Sequence, residues 1–280
     1  MDIKKIYLVY FSPGGNTEKV VKLIGTKLAG ELDAEAYAID FTSPEMRNAQ
    51  YSFDEDALVI FGMPTYAGRV PNKLLAFLQD GFKGNATKAV AVTTFGNRSF
   101  DGSLTELSLE LYKNGFDIFA AASFACQHHF SKVIGTARPD DDDVAEIEKF
   151  ALSIAHWLSK SEAKCIEHRN ILADSEVKPY YIPLGEDMQP AKFLKAVPKT
   201  LEELCDGCGV CVKACPVGSI SSDYMTITGP CIKCQACVIK CHSGAKYFDD
   251  EAFLSHVRML ETNYTKRAAN FALIEKTAEV

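Results

Sequence analysis

The sequence predicts an α/β protein in two parts: an open, doubly wound parallel sheet and, after it, a small cysteine-rich module. Two observations carry the prediction. Through residue 160, short runs rich in apolar and β-branched residues alternate with amphipathic segments, the pattern of parallel strands covered by helices on both faces. Beyond residue 200, eight of the ten cysteines fall in two copies of C-x2-C-x2-C-x3-C.

Five strands are expected at residues 6–11, 34–39, 57–61, 88–94 and 117–124, each bounded by turn formers. The helical period predicts helices at 18–28, 72–78, 103–113 and 143–158. Ser103 and Glu106 have the spacing of a capping box at the third of these. The acidic run 140–143 reads as the start of the fourth, where the helix dipole favours negative charge; a metal cage would need further oxygen ligands. Ligands of such a sheet bind beyond the carboxyl ends of its strands, so the loops after strands one, three and four form the candidate site.

At 280 residues and 47% hydrophobic, the chain can bury one medium core. The cysteine module, poor in large apolar residues, depends on its metal to fold. A formal net charge of −7 argues against nucleic acid or an anionic membrane as partner and suits docking to basic patches on redox proteins. The apolar run 6–11 is too brief for a signal-peptide core and is broken by Ser12, Pro13 and two glycines. No stretch approaches the length of a transmembrane helix. A cytoplasmic protein without membrane insertion, in an anaerobic or reducing host, is the expectation.

Each cysteine of the second copy lies 26 residues after its counterpart in the first, so the segment reads as a duplicated half-module about a pseudo-twofold axis. Three thiolates separated by two residues each wrap three corners of a cubane, and the cysteine after x3 has left that loop and reaches the other cluster. On this spacing Cys205, Cys208, Cys211 and Cys241 hold one [4Fe-4S] cluster, and Cys231, Cys234, Cys237 and Cys215 hold the other. Structural zinc needs two separated pairs and no third and fourth cysteine of this kind. Disulfides do not suit such close cysteines in a reducing compartment. Clusters that only hold the module together are a further reading. With Pro216 after its fourth cysteine, the first copy resembles the bacterial two-[4Fe-4S] ferredoxin family in full. The second carries His242 where that family has proline, which leaves ligation intact and sets a potential-tuning polar group beside the sulfurs.

The loop after strand one reads Ser12, Pro13, Gly14, Gly15, Asn16, Thr17. It joins a strand to a helix N-terminus with two glycines and two hydroxyls, the provision a phosphate needs. It lacks the lysine of a triphosphatase loop and the glycine spacing of a dinucleotide fold. After strand three come Pro64, Thr65, Tyr66, Ala67 and Gly68, followed by Arg69, Val70 and Pro71; after strand four, Thr94, Phe95, Gly96, Asn97, Arg98, Ser99, Phe100 and Asp101. Aromatics and glycines at that edge can pack a flat ring while backbone groups meet its polar rim. The first loop resembles that of flavodoxins, with Gly14 where they carry a hydroxyl. The P-T-Y-x-G-R-x-P and F-G-N-R loops resemble those of flavodoxin-like domains fused to two-cluster ferredoxins, and the resemblance spans essentially the whole chain. It implies a flavodoxin-like doubly wound sheet of five parallel strands in the order 2-1-3-4-5, and a small α+β two-[4Fe-4S] ferredoxin domain. It also implies FMN, with residues 12–17 on its phosphate and the other two loops on its ring system.

Arg69 and Arg98 read either as counter-charges for reduced flavin or an anionic partner, or as solvated surface residues. His128 and His129, beside Cys126, read as a proton source or as structural; Cys126 and Cys165 read as inert thiols. The domain division is 1–160 for the FMN-binding domain, 161–200 for a linker packed at the junction, 201–250 for the ferredoxin domain and 251–280 for a C-terminal helix, whose exchange between protomers would make a homodimer. The function expected is electron transfer between FMN and two [4Fe-4S] clusters and on to a redox protein. Reduction of a small acceptor such as a quinone or nitro compound, and redox sensing, are the alternatives.

Overall fold

The computed structural model describes residues 3–160, 170–172 and 175–275; Cys165 lies outside them. Five parallel strands form at β1 (Lys5–Tyr10), β2 (Glu35–Asp40), β3 (Ala57–Pro64), β4 (Thr87–Phe95) and β5 (Phe116–Ala125), in the spatial order β2-β1-β3-β4-β5. This is the flavodoxin-like α/β fold, read from the chain's own strand order. A sixth strand, β6 (Phe271–Ile274), runs antiparallel along β5, with Phe271 opposite Ser123 and Ile274 opposite Ala120. The C-terminal region is therefore not helix alone. Four residues are too few for any periodicity to announce a strand.

Helices α1 (Asn16–Leu32), α2 (Leu75–Asp80), α3 (Ser103–Lys113) and α4 (Asp141–Lys160) cover the sheet. The two-residue alternation of strand side chains divides the core between its faces. Ile6 and Leu8 join Val20, Ile24, Ile147 and Ile154 of α1 and α4. Val9 and Phe61 join Leu78, Leu104 and Leu111 of α2 and α3 on the other face. Because β3, β4 and β5 are covered on both faces they are buried almost end to end. Their register sets Tyr10 beside Gly62, Pro64 beside Thr94 and Phe95 beside Ala125, which gathers the following loops at one edge.

The capping box is not formed. Gly102 occupies the N-cap of α3 without a side-chain bond. Ser103 Oγ pairs with Thr65 Oγ1 at 2.6 Å, and Glu106 turns to Arg69 and to the Val70 backbone N–H, 2.9 Å away. A buried carboxylate gains more from a guanidinium and an amide than from a helix end.

In the cysteine module Lys199–Thr200 pairs antiparallel with Lys246–Tyr247, and two short helices carry the third cysteine of each copy, α5 (Val210–Ala214) and α6 (Ala236–Ile239). The duplication reaches the backbone. Left-handed residues at Gly207, Gly209 and Gly218 recur 26 positions on at Lys233, Gln235 and Gly244. Helix α7 (Glu251–Asn263), capped by the Asp250 carboxylate on Phe253 N–H at 2.9 Å, packs Met259 and Leu260 on Ile134. Among the described residues no helix is long and apolar enough to cross a membrane.

Candidate functional site

The loops at the carboxyl edge enclose a cavity of about 590 Å³, within the range of small-molecule and cofactor sites. Thirteen of the seventeen loop residues expected to touch the cofactor line it: Ser12, Pro13, Gly14, Asn16 and Thr17; Pro64, Thr65, Tyr66, Ala67 and Gly68; Thr94, Phe95 and Gly96. The other four stand behind it. Gly15 makes the left-handed N-cap of α1, at φ +92°. Asn97 is buried and its amide donates to the carbonyls of Tyr264 and Lys266 at 2.8 and 3.0 Å, so it anchors the C-terminal segment. Phe100 packs between Phe95 and Phe271. Asp101 pairs with Arg98 and lies so close to Gly68 that a Cβ there would meet its carboxylate at 2.6 Å.

Within the first loop, Ser12 Oγ accepts the Glu18 N–H at 2.9 Å and keeps its own proton to donate. Thr17 Oγ1 is paired with Thr94 Oγ1 at 2.8 Å, and the Asn16 amide donates to the Gln127 carbonyl at 3.0 Å. Because α1 begins on the cavity wall, its first amides and the positive end of its dipole face that space. Gly14 is required by crowding, since a Cβ there would lie 1.9 Å from His129 Cε1. The imidazole fills the place of a side chain at Gly14, and the nearby Cys234 backbone partly offsets the downward pull of burial on its pKa. His128 takes the same position over Gly96 and accepts the Phe130 N–H on Nδ1 at 3.1 Å. Burial, with His129, His256 and Arg98 adding, pulls His128 down from 6.5 to about 3, and burial lowers His129 and His256 as well. All three line the cavity as neutral rings.

The third-strand loop turns tightly. Tyr66 and Arg69 exchange backbone hydrogen bonds of 2.8 and 3.1 Å around left-handed Ala67 and Gly68, which presents the Tyr66 ring. Burial raises the Tyr66 phenol well above its ordinary value, and Cys234 and Cys231 add to the rise.

Residues outside the three loops complete the cavity. Cys231, Ile232, Lys233 and Cys234 of the cysteine module line it, as do Tyr180, Tyr181, Phe193 and Leu194 of the connecting segment. That segment is strapped down by its tyrosines: the Arg69 guanidinium lies 4.8 Å from the Tyr180 ring centre and that of Arg98 3.8 Å from Tyr181. Both arginines are therefore engaged, Arg69 with Glu106 and Arg98 with Asp101, and neither is a free surface cation. Arg47 supplies a second tie, reaching from the loop after β2 to the Pro216 carbonyl while its other amine holds those of Phe41 and Thr42 at 2.8 Å. The aromatic-proline composition of the segment hinted at the strap; nothing in the sequence pointed to Arg47.

The module divides its cysteines. Cys215, Cys231, Cys234 and Cys237 line one small cavity of about 20 Å³, and burial pushes the thiols of Cys234 and Cys237 up to about 12. A metal is what makes thiolates of such buried groups. The Gln235 amide Nε2 lies buried there without a hydrogen-bond partner, which fits a sulfur-rich group as occupant. On the far side Cys211 feels Cys205, and Cys208 is exposed. His242 reaches Asp206 Oδ2 at 2.8 Å, while Asp206 accepts the Cys208 N–H at 3.2 Å. Its polar contact is thus with the surface of the first copy. Cys126 is buried among apolar neighbours, its thiol pushed up to about 12 by burial.

Residues 198–221 and 228–245 each match a family model described as a 4Fe-4S binding domain. The module carries two [4Fe-4S] domains. No curated protein matches the chain. Among solved structures, a flavodoxin from the domain Archaea is 16% identical, with 55% of this chain and 99% of that one covered and a TM-score of 0.37. The Streptococcus pneumonia TIGR4 flavodoxin is 17% identical, with 55% and 99% covered and a TM-score of 0.38. An apo NADH:FMN oxidoreductase, EmoB, is 19% identical, with 61% and 98% covered and a TM-score of 0.41. The fold rests on the strand order, not on these scores. The paired [4Fe-4S] domains give the chain an electron-transfer role.

Proposed function

We propose that the chain is an electron relay in which FMN occupies the large cavity and two [4Fe-4S] clusters occupy the cysteine arrays, serving a redox-protein partner. One observation carries the reading: Cys231 and Cys234 form part of the wall of the same cavity as the residue 12–17 loop. Bound there, the flavin would exchange electrons singly or in pairs and each cluster singly, so their union converts two-electron chemistry into single steps.

The chain's own residues hold and order the two sites. Ser12 and the first amides of α1 would receive the phosphate, and Tyr66 and Phe95 the ring system. Cys215, Cys231, Cys234 and Cys237 would hold the cluster beside the cavity, and Cys205, Cys208, Cys211 and Cys241 the one toward the surface, where exposed Cys208, Asp206 and Glu203 offer an acidic face to a basic partner. Tyr180, Tyr181 and Leu194 of the connecting segment line the same cavity beside the cluster loop. The test is anaerobic stopped-flow reduction of the holoprotein, followed at flavin and cluster wavelengths. Cluster bleaching should follow flavin reduction within a single turnover; flavin reduction that leaves the clusters oxidised would sink the relay.

A further inference from the structure

The second cysteine copy carries side chains at left-handed positions where the first has glycine, and one of those side chains holds an unanswered donor. Gln235 sits at φ +64°, a conformation that Gly209 adopts at φ +68° in the first copy and that residues with a Cβ avoid. Strain of this kind persists where something else holds the residue in place. Gln235 is 5% exposed, its Nε2 has no hydrogen-bond partner among the described residues, and it lines the small cavity with Cys215, Cys231, Cys234 and Cys237. A buried amide left without an acceptor is destabilising, and four cysteines share this cavity with side chains that are mostly apolar. Lys233, the other strained residue, has its partners: Nζ donates to the carbonyls of Leu194 and Cys231 at 2.8 and 3.1 Å.

We propose that Gln235 Nε2 donates a hydrogen bond to a sulfur of the cluster nearest the flavin cavity and so raises that cluster's reduction potential, a donor that the first-copy cluster lacks because Gly209 stands in its place. Reduction adds one electron to the cluster and spreads negative charge over its sulfurs, so a fixed N–H favours the reduced state over the oxidised one. The two clusters of a duplicated module are thereby made unequal, and the electron is held preferentially beside the cavity.

The proposal rests on the two-cluster reading above. Iron and sulfide analysis of the wild-type holoprotein comes first, and a chain without clusters would overturn that reading. The proposal itself is tested by anaerobic protein-film voltammetry of wild type, Gln235→Gly and Gln235→Met. Glycine is unstrained at this φ, so folding is retained; methionine keeps the bulk and excludes water. In both variants one of the two cluster waves should move to lower potential while the other stays. Waves that stay in place in either variant, or that both move equally, overturn the assignment.

Discussion

The first cysteine copy places Gly207 and Gly209 at its left-handed turns and Cys208 on the surface; the second places Lys233 and Gln235 at the same turns and Cys231 and Cys234 in a cavity wall. The backbone is common to both, and the difference lies in what each faces. The exposed copy uses the residue that the conformation prefers. The buried copy accepts strain where its side chains face the larger domain and the cysteines: Lys233 ties the strap at Leu194, and Gln235 sits in the small cavity with four cysteines. Duplication supplied two equivalent loops, and docking against the larger domain made them unequal.

That inequality can be broken most directly at the cysteines. Cys237→Ser should remove about half of the iron and weaken flavin binding, because its cluster abuts the cavity. Cys208→Ser should remove a similar share of iron and leave flavin affinity unchanged. Iron-to-protein ratios and fluorescence titration with FMN check both, and equal effects on flavin would erase the distinction.

Acid should act on the cavity side of the molecule. His128, held near 3 against an ordinary 6.5 chiefly by burial, accepts a backbone N–H and so must stay neutral in the fold. Such a group stabilises the folded state fully above its unfolded value, and the benefit is lost as pH falls toward the folded value. The melting temperature should decline from pH 6.5 downward, and His128→Gln should flatten that decline; an unchanged slope would count against His128 as its source.

A finer perturbation is Gly14→Ser, whose side chain takes the place of the His129 ring and drives it off the first loop. A loss of roughly 1–3 kcal/mol in chemical denaturation is expected from the overpacking. The double variant Gly14→Ser with His129→Ala should restore room in the loop and recover most of that loss. Smallest is Tyr181→Ala. Removing the stack on Arg98 should cost about 0.5–2 kcal/mol and speed amide exchange across the strap, with little change at the surface copy.

The larger fold was legible because its signals are local. Runs of β-branched and apolar residues alternate with the helical period, and the ends of the observed strands and helices lie within a few residues of those runs. Most loop residues named from the sequence do line the cavity, since chain direction alone puts the carboxyl ends of parallel strands at one edge. The misses are places where a distant partner won. Glu106 left the helix end for Arg69, Asn97 left the ligand edge for the C-terminal segment, and residues 271–274 became a strand because β5 offered an open edge.

By itself, then, the sequence determined the cysteine spacing, the strand order's periodic signals and the glycine-hydroxyl loop, all consequences of covalent distance along one stretch of chain. Only the tertiary structure decided that the second cysteine copy faces the cavity, that His129 stands in for a side chain at Gly14, and that Tyr180 and Tyr181 line the cavity on the arginines of the loops. Those outcomes depend on which surfaces bury one another, and burial is a property of residues far apart in the chain.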